Sequence, residues 1–250
     1  MQFGTYYESK DTSYYEQVRH DVIAMIPRGT RRVLEVGCST GATLAHAKTV
    51  LGLAEVVGIE PFESAAMIAA GRVDRIIVGD IEMMNELDVP ECYFDCIICA
   101  DVLEHLRDPW SVLLMLRRYL ADDGVLLASI PNLRHISTVL KIVRDRFEYE
   151  EHGLLDQTHL RFFTLHTMLK MFRETGFSVD HIETNRSRSL IFQCASALTF
   201  GLFRPFSVFQ YRLTCSKAGS EGQKAKVKRQ KGEMGDGGGA GSGGAPEDFS

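Results

Sequence analysis

Three carboxylates stand where short β-rich runs of the chain end. Glu35 lies at the end of "RRVLEV", Glu60 follows "AEVVGI", and Asp80 follows "RIIVG". Carboxylates attract cations and accept hydrogen bonds from hydroxyl and amino groups. The pattern therefore predicts a ligand that is cationic at one end and carries hydroxyl and amino groups elsewhere.

The turn after the first run, "VLEVGCSTGATL" (33–44), reads as a strand that breaks at Gly37 and restarts as a helix after Gly41. Helix N-termini favour anions, but this turn carries Glu35 and has no Lys or Arg before Lys48. A pyrophosphate would meet a negative charge with no cation to offset it. S-adenosylmethionine fits better, because it offers an ammonium, a sulfonium, a ribose diol and an adenine amine.

From Arg31 onward, nearly continuous apolar runs alternate with helical patterns. One helix is predicted from Asp108 as N-cap and Pro109 as its first residue, with a buried stripe at Val112, Leu113, Leu116 and Leu120. Strands separated by helices indicate an α/β protein with an open, doubly wound parallel sheet. Ligands of such sheets bind beyond the carboxyl ends of the strands, where the three carboxylates stand.

Several segments together resemble the class I S-adenosylmethionine-dependent methyltransferases, and most resemble bacterial small-molecule O-methyltransferases of glycan or natural-product pathways. The segments are "VLEVGCSTGATL", "VVGIEP", "VGDIE", "YFDCIICADVLEHLRDPW", "LADDGVLLASIPN" and "HGLLDQTHLRFFT". The resemblance runs from about Tyr6 to Cys215. It implies a Rossmann-like seven-stranded sheet whose last strand, "SVFQYRLTCS", is antiparallel and inserted. One departure is Ser39, where the family usually has glycine.

The resemblance implies a set of cofactor-binding residues for S-adenosyl-L-methionine. The methionine end would lie against Glu35, Gly37 and Gly41, the ribose against Glu60, and the adenine against Asp80 and Ile81. The backbone around Ala100 and Asp101 would face the methionine ammonium. The full predicted set also includes the neighbouring residues Cys38, Ser39 and Pro61.

The alternative for this fold is a nicotinamide-dependent dehydrogenase, which also uses an acidic residue after the second strand. Its fingerprint needs a third glycine near the helix start. Ala42 and Leu44 stand there instead. The sequence therefore favours the methyltransferase.

Two histidines are candidates for the catalytic base that deprotonates an acceptor hydroxyl. His105 follows the fourth strand, and His159 lies in the segment expected to cover the substrate. The structural alternatives are that Glu104 and His105 order the loop before Asp108, and that His159 is a loop histidine bonded to backbone.

Two further patterns resemble metal-binding motifs, but we predict no metal at either of them. Asp101, Glu104 and His105 resemble a motif of quinone-pathway O-methyltransferases that can hold a divalent metal, yet no further carboxylate is assured. Cys96 and Cys99 form a CxxC inside a strand-like run with no second pair to complete a zinc site. We expect buried thiols there.

The chain divides into three predicted parts. Residues 1–30 form an N-terminal helical lid, whose Tyr6, Tyr7, Tyr14 and Tyr15 either cover the site or pack on the domain. Residues 31–216 form the methyltransferase domain, with a substrate cover at about 132–163. Residues 217–250 form a disordered tail, basic and then glycine-rich.

Composition limits the partners. A net charge of −5 gives no general reason to expect nucleic acid, and the expected acceptor is a small molecule or a glycan. The apolar stretch 190–203 is too short to span a bilayer and is interpreted as core or as a homodimer surface. With no signal-peptide pattern at the N-terminus, the expected location is the cytoplasm.

Two other functions stay open. A nucleic-acid or protein methyltransferase is one, although "ADVLEH" stands where amino-directed nucleic-acid enzymes have a Pro-Pro-aromatic motif. A non-catalytic S-adenosylmethionine-binding module is the other.

Overall fold

The computed structural model describes residues 17–186 and 203–219. Seven strands form one sheet in the spatial order β3-β2-β1-β4-β5-β7-β6. Their bounds are β1 Arg32–Val36, β2 Glu55–Glu60, β3 Arg75–Val78, β4 Phe94–Ala100, β5 Leu120–Pro131, β6 Phe177–Arg186 and β7 Val208–Lys217. Strands β1 to β5 are parallel, and β7 pairs antiparallel with both β5 and β6. The predicted insertion of "SVFQYRLTCS" as an antiparallel strand is confirmed.

Helices connect the parallel strands and cover both faces of the sheet. They are α1 His20–Ile23, α2 Ala42–Leu51, α3 Glu63–Ala69, α4 Pro109–Tyr119, α5 Ile136–Val143 and α6 Leu165–Glu174. Short 3₁₀ turns follow β3 (Ile81–Met83) and β4 (Leu103–His105), and a third precedes β7 (Arg204–Ser207). Each of the first two turns lies directly after a strand end, where a ligand of such a sheet would bind.

Two apolar clusters fill the space between the sheet and its helices. Cys96 belongs to one cluster and Cys99 to the other, so the two thiols lie on opposite faces of β4. Both are fully buried, and burial raises the pKa of each thiol. They are buried thiols, as expected, and their opposite directions are incompatible with a shared metal.

Helix α4 follows its predicted start signals. The Asp108 side chain accepts a hydrogen bond from Ser111 N, and Pro109 is the first helical residue. Val112, Leu113 and Leu116 are buried as predicted. Leu120 is also buried but begins β5 instead of ending the helix, because it pairs with Phe94 of β4.

Helix α5 exposes most of its apolar side chains. It is amphipathic in sequence, yet only Thr138 is buried. Leu140, Ile142 and Val143 are all exposed. Segment 144–164 that follows contains no helix or regular strand.

Several predicted features fall wholly or largely outside the described residues. These are the tyrosines of the N-terminal segment, the apolar stretch 190–203 and the tail beyond Gly219. Within residues 17–186 and 203–219, no helix has the length and apolarity needed to cross a bilayer.

Candidate active site

The glycine turn after β1 is built from left-handed backbone. Gly37 has φ +68 and Gly41 φ +73. A Cβ on Gly37 would lie 2.8 Å from Val102 Cγ2, so glycine is needed there for space as well as for conformation. Ser39 adopts φ +51, so serine takes the left-handed geometry for which the family usually uses glycine. The departure from the family pattern leaves the turn in the glycine-like conformation.

Glu60 ties the end of β2 to this turn. Its Oε2 accepts a hydrogen bond from Ser39 N at 2.8 Å, and its Oε1 accepts one from Phe62 N at 3.1 Å. The side chain is buried, and burial raises its pKa although the two backbone hydrogen bonds oppose the shift. Each carboxylate oxygen keeps a lone pair for a further donor.

Glu35 is a second buried carboxyl beneath the turn. Burial raises its pKa to about 8, with the nearby charge of Arg19 opposing the shift. Its Oε2 has no hydrogen-bond partner among the residues that the structure describes, and the same is true of Ser39 Oγ. Two buried polar atoms at the turn are therefore left for a ligand to satisfy.

Arg19 brings a cation to the site from the segment just before α1. Its guanidinium forms an ion pair with Asp101, and with Asp21 at 3.0 Å. It also donates to Ser129 Oγ at 3.2 Å. Burial opposes the positive charge, but the two carboxylates hold the pKa of Arg19 above its usual value.

The turn therefore lacks a cation only in the linear sequence, because the fold brings arginine side chains close to it. Besides Arg19, Arg72 donates to the carbonyl and hydroxyl oxygens of Thr40, at 3.3 and 3.1 Å. Sequence reasoning missed Arg19 because it lies in no motif and 16 residues before Glu35. Only the folded chain brings the two together.

Asp101 stands at the carboxyl end of β4, next to Ala100. It has φ +56, a conformation that costs an L-residue free energy and is concentrated at functional sites. Its carboxylate binds Arg19 and accepts a hydrogen bond from Gln210 of β7. Burial nevertheless raises the pKa of Asp101.

The other predicted cofactor residues differ in what their side chains do. Asp80 is exposed, and its Oδ1 accepts from Glu82 N at 2.9 Å. Ile81 beside it is buried. The Cys38 side chain packs on Gly58, where a Cβ would lie 2.3 Å from its sulfur, so only its backbone is directed at the turn. Pro61 is exposed at the end of β2.

His105 and His159 meet beyond the end of β4, although 54 positions separate them in the chain. Their ring centroids are 4.8 Å apart in an edge-to-face arrangement. The Nδ1 atom of His105 is 3.2 Å from Thr158 O and 3.0 Å from Thr158 Oγ1. The Nδ1 atom of His159 is 3.2 Å from Leu154 O, so this histidine makes the backbone contact that its structural alternative requires.

Glu104 lies under these rings and is 1% exposed. Neither of its carboxyl oxygens has a hydrogen-bond partner among the described residues. Burial raises its pKa well above the ordinary value, and the nearby charge of Asp101 adds to the shift.

Donor atoms of Glu104, His105 and His159 all lie within 4.8 Å of one another. This set differs from the motif read along the sequence, because Asp101 is engaged by Arg19 and Gln210, and His159 takes its place. One carboxyl and two imidazoles are a donor set that divalent metals accept.

The cover segment is fastened to the 3₁₀ turn Leu103–His105. The backbone N–H groups of Leu160 and Arg161 both donate to Glu104 O at 2.9 Å. The Arg161 guanidinium donates to Arg107 O at 2.9 Å and lies 5.9 Å from the centre of the Trp110 ring. The histidine pair is thus held by two segments that are bonded to each other.

Comparison with known proteins identifies the family to which this chain belongs. The family model described as "Methyltransferase domain" matches residues 7–182. A ubiquinone biosynthesis O-methyltransferase of Thiobacillus denitrificans is 28% identical over 162 residues, which are 62% of this chain and 68% of the relative. A probable S-adenosylmethionine-dependent methyltransferase of Mycobacterium tuberculosis is 31% identical over 49% of this chain and 44% of its own length.

Solved structures share the fold at lower identity. A S-adenosylmethionine-dependent methyltransferase from Archaeoglobus fulgidus superposes with a TM-score of 0.62 at 18% identity, over 86% of this chain and all of the other. The [4+2]-cyclase SpnF superposes with a TM-score of 0.56 at 20% identity, over 79% of each chain. A fold shared at this level carries no information about the acceptor.

Proposed function

The chain belongs to the methyltransferase domain family and is a S-adenosylmethionine-dependent methyltransferase, and from that premise we propose that it methylates a hydroxyl oxygen of a small molecule or sugar. The observation that carries this proposal is the histidine pair beyond β4, close to Asp101. A hydroxyl acceptor needs a base, and imidazole is suited to that role near neutral pH.

The residues around the glycine turn fit S-adenosylmethionine. The orphaned atoms Glu35 Oε2 and Ser39 Oγ suit its polar methionine end, and the Gly37 backbone has no Cβ that would obstruct close approach. Glu60 keeps lone pairs for the ribose hydroxyls. Asp80 and Ile81 offer a carboxylate and an apolar side chain to the adenine.

We assign Arg19 and Asp101 to the amino-acid end of the cofactor. In the ligand-free chain they neutralise each other. A zwitterionic amino-acid group can exchange this ion pair for two others, with its carboxylate on Arg19 and its ammonium on Asp101. The exchange leaves no buried charge unpaired, which would otherwise be costly.

The test of this assignment compares two ligands. Arg19→Gln should weaken binding of S-adenosylmethionine at least tenfold, about 1.4 kcal/mol, and leave binding of 5′-methylthioadenosine unchanged, because that ligand lacks the amino-acid group. Asp88→Asn is the matched control, since Asp88 is exposed and pairs with Arg75 away from the site. Equal losses for both ligands would contradict the assignment.

The reaction requires the protein mainly to position the acceptor and to remove the proton of its hydroxyl group. When bound, S-adenosylmethionine supplies a methyl group already activated on sulfur. Holding the acceptor in line with that methyl group can contribute about 7–11 kcal/mol. His105 Nε2 takes the proton of the acceptor hydroxyl as the O–C bond forms and the C–S bond breaks, which can add about 10²–10⁴-fold.

Acceptor specificity is proposed to lie in segment 132–163. Exposed Leu140, Phe147, Tyr149 and Leu160 give this cover an apolar character beside the two histidines. The ubiquinone O-methyltransferase relatives are consistent with a small-molecule acceptor.

The decisive experiment incubates the protein and methyl-labelled S-adenosylmethionine with an extract of its own organism and identifies what gains label. Label in a small molecule or glycan, lost with His105→Ala, supports the proposal. Label in nucleic acid or protein would instead support the other methyltransferase class. Cofactor binding without any labelled product would support a binding module.

The donor set of Glu104, His105 and His159 favours one alternative, a divalent cation that acts in place of the base. We expect protein dialysed against a chelator to keep its activity, because the two imidazoles supply a base without a metal. Activity that falls on chelation and returns with Mg²⁺, Mn²⁺ or Zn²⁺ would contradict this expectation.

A further inference from the structure

A short chain of hydrogen bonds leads from the cover segment to His105. The Thr158 hydroxyl donates to Asp156 Oδ1 at 2.7 Å, and the Thr158 N–H donates to the same oxygen at 2.8 Å. Asp156 and Thr158 are each 5% exposed. Bulk water therefore does not compete for these bonds, and they hold the Thr158 hydroxyl in one orientation.

This orientation decides which nitrogen of His105 carries the proton. Because the Thr158 hydroxyl gives its hydrogen to Asp156, it presents lone pairs to His105 Nδ1 at 3.0 Å. The second neighbour of Nδ1, the Thr158 carbonyl oxygen at 3.2 Å, is an acceptor only. Two acceptors at one nitrogen require that nitrogen to be the N–H donor.

We infer that Thr158 and Asp156 are positioning residues that hold His105 as the Nδ1-protonated tautomer and so present its Nε2 lone pair to the acceptor hydroxyl. The inference rests on the proposed function only in taking His105 as the base. In this role Thr158 and Asp156 act on the reaction only through the imidazole, with which Thr158 is in contact.

The arrangement also serves the state after proton transfer. When Nε2 has taken the acceptor's proton, the ring is an imidazolium whose Nδ1–H still points at Thr158. The Asp156 carboxylate lies behind the Thr158 hydroxyl and stabilises the positive charge through it. The proton stays on Nε2 until product leaves, so no further group is needed to balance the step.

Backbone hydrogen bonds hold the segment that carries Asp156 and Thr158 in place beside His105. Leu160 N and Arg161 N both donate to the carbonyl of Glu104, the residue before His105. His159 N donates to Asp156 O at 3.0 Å. The turn 156–161 is therefore bonded to the backbone of Glu104, directly before His105, which constrains its distance to the ring.

The primary test reads the tautomer directly. Long-range ¹H–¹⁵N correlation spectra of the full chain near pH 7.5 should show His105 with a protonated Nδ1 and a pyridine-type Nε2, assigned by the loss of these signals in His105→Gln. Free histidine side chains in water favour the other tautomer. Thr158→Val should increase the Nε2-protonated population, and Thr158→Ser should restore the wild-type spectrum.

The kinetic test uses the acceptor that gains label in the extract experiment. Thr158→Val should lower kcat about tenfold, within the contribution of about 10²–10⁴-fold that a general base makes, with KM for S-adenosylmethionine unchanged. Asp156→Asn should lower kcat while it keeps the tautomer, since the amide oxygen still accepts from Thr158. Thr175→Val is the matched control, because Thr175 is buried and donates from its hydroxyl to Met171 O at the C-terminal end of α6.

Two results would overturn the inference. One is a wild-type His105 with its proton on Nε2, and the other is a folded Thr158→Val protein with wild-type tautomer populations and kcat. Both leave the proposed function standing. A wild-type protein that labels no acceptor would contradict the proposed function, and the tautomer spectra would still decide whether Thr158 orients the ring.

Discussion

Glu35 and Glu60 are two buried carboxyl groups near one glycine turn, and their surroundings give them different roles. Both oxygens of Glu60 accept backbone N–H groups, so its position is fixed before any ligand arrives. Glu35 has an oxygen with no partner among the described residues and a pKa of about 8. Glu60 is therefore a preorganised acceptor, whereas we expect Glu35 to gain a partner, and below pH 8 its charge, when a cationic ligand binds.

For Glu60, the expected result is a loss of cofactor affinity. Charge-assisted hydrogen bonds contribute about 1.5–3 kcal/mol, so Glu60→Gln should weaken S-adenosylmethionine binding roughly 10- to 150-fold by calorimetry. Glu63→Gln is the control, since Glu63 is exposed three residues further on. An unchanged dissociation constant for Glu60→Gln would contradict the proposed ribose contact.

Glu35 predicts a pH dependence of binding. Burial raises its pKa to about 8, so at pH 6–7 the free protein holds this carboxyl mainly protonated, while a cationic ligand at the turn favours the carboxylate. Affinity should then rise about tenfold per pH unit below pH 8 and level off above it. Glu35→Gln should remove the slope, and calorimetry in buffers of different ionisation enthalpy should detect proton release with the wild type alone. A flat wild-type profile would contradict the prediction.

Among the elements, the cover segment consists of two parts with different attachment. Helix α5 and the residues after it are exposed, including Val143 at 76%. Residues 154–163 are tied to the 3₁₀ turn after β4 through Glu104 O and Arg107 O. The first part is largely exposed and is bonded to the second through Glu150, and the second carries Thr158 and His159 next to the turn.

Hydrogen exchange should separate these two parts. We expect the amides of 147–149 to exchange much faster than those of 159–161, because the amides of 159–161 donate to Asp156 O and Glu104 O and bonded amides open less often. Arg161→Ala removes the bonds to Arg107 O and the contact with Trp110, so it should speed exchange in 159–163 and lower kcat. Arg144→Ala, on an exposed residue of the first part, should do neither. Uniform exchange along 144–163 would show that the distinction is wrong.

The sequence predicted the elements well because their signals are local. The Asp108 cap and the apolar β-runs follow from residues close together in the chain, whereas the insertion of the antiparallel strand was implied by the resemblance to the methyltransferase family. Arg19 and the contact between His105 and His159 could not be predicted in this way, since each depends on segments that meet only in the fold. Helix α5 shows a second limit of sequence reasoning. Amphipathic periodicity indicates an apolar face, but it does not show whether another element packs on that face.

On the scale of the whole molecule, the sheet collects the functional groups at one edge. The parallel strands β1, β2 and β4 bring Glu35, Glu60 and Asp101 together, and the antiparallel β7 adds Gln210 to Asp101. Arg19 reaches the same edge from the N-terminal side and connects through Asp21 to Arg212 of β7. Residues near both ends of the described chain thus support the proposed cofactor side of the site.

This arrangement predicts where the chain can be shortened at its C-terminus. Strand β7 lies between β5 and β6 and pairs through Lys217, and Ala218 N still donates to Gly176 O at 2.9 Å. A chain that ends after Gly219 should keep its Tm and its affinity for S-adenosylmethionine, because every described contact of β7 remains. A chain that ends at Ser207 loses an inner strand together with the Gln210 bond to Asp101, and it should fail to fold. Thermal unfolding and calorimetry on both truncations test this.

A lower Tm for the chain ending at Gly219 would mean that residues beyond it stabilise the domain. That result would contradict the interpretation of the basic and glycine-rich tail as a separate, disordered part.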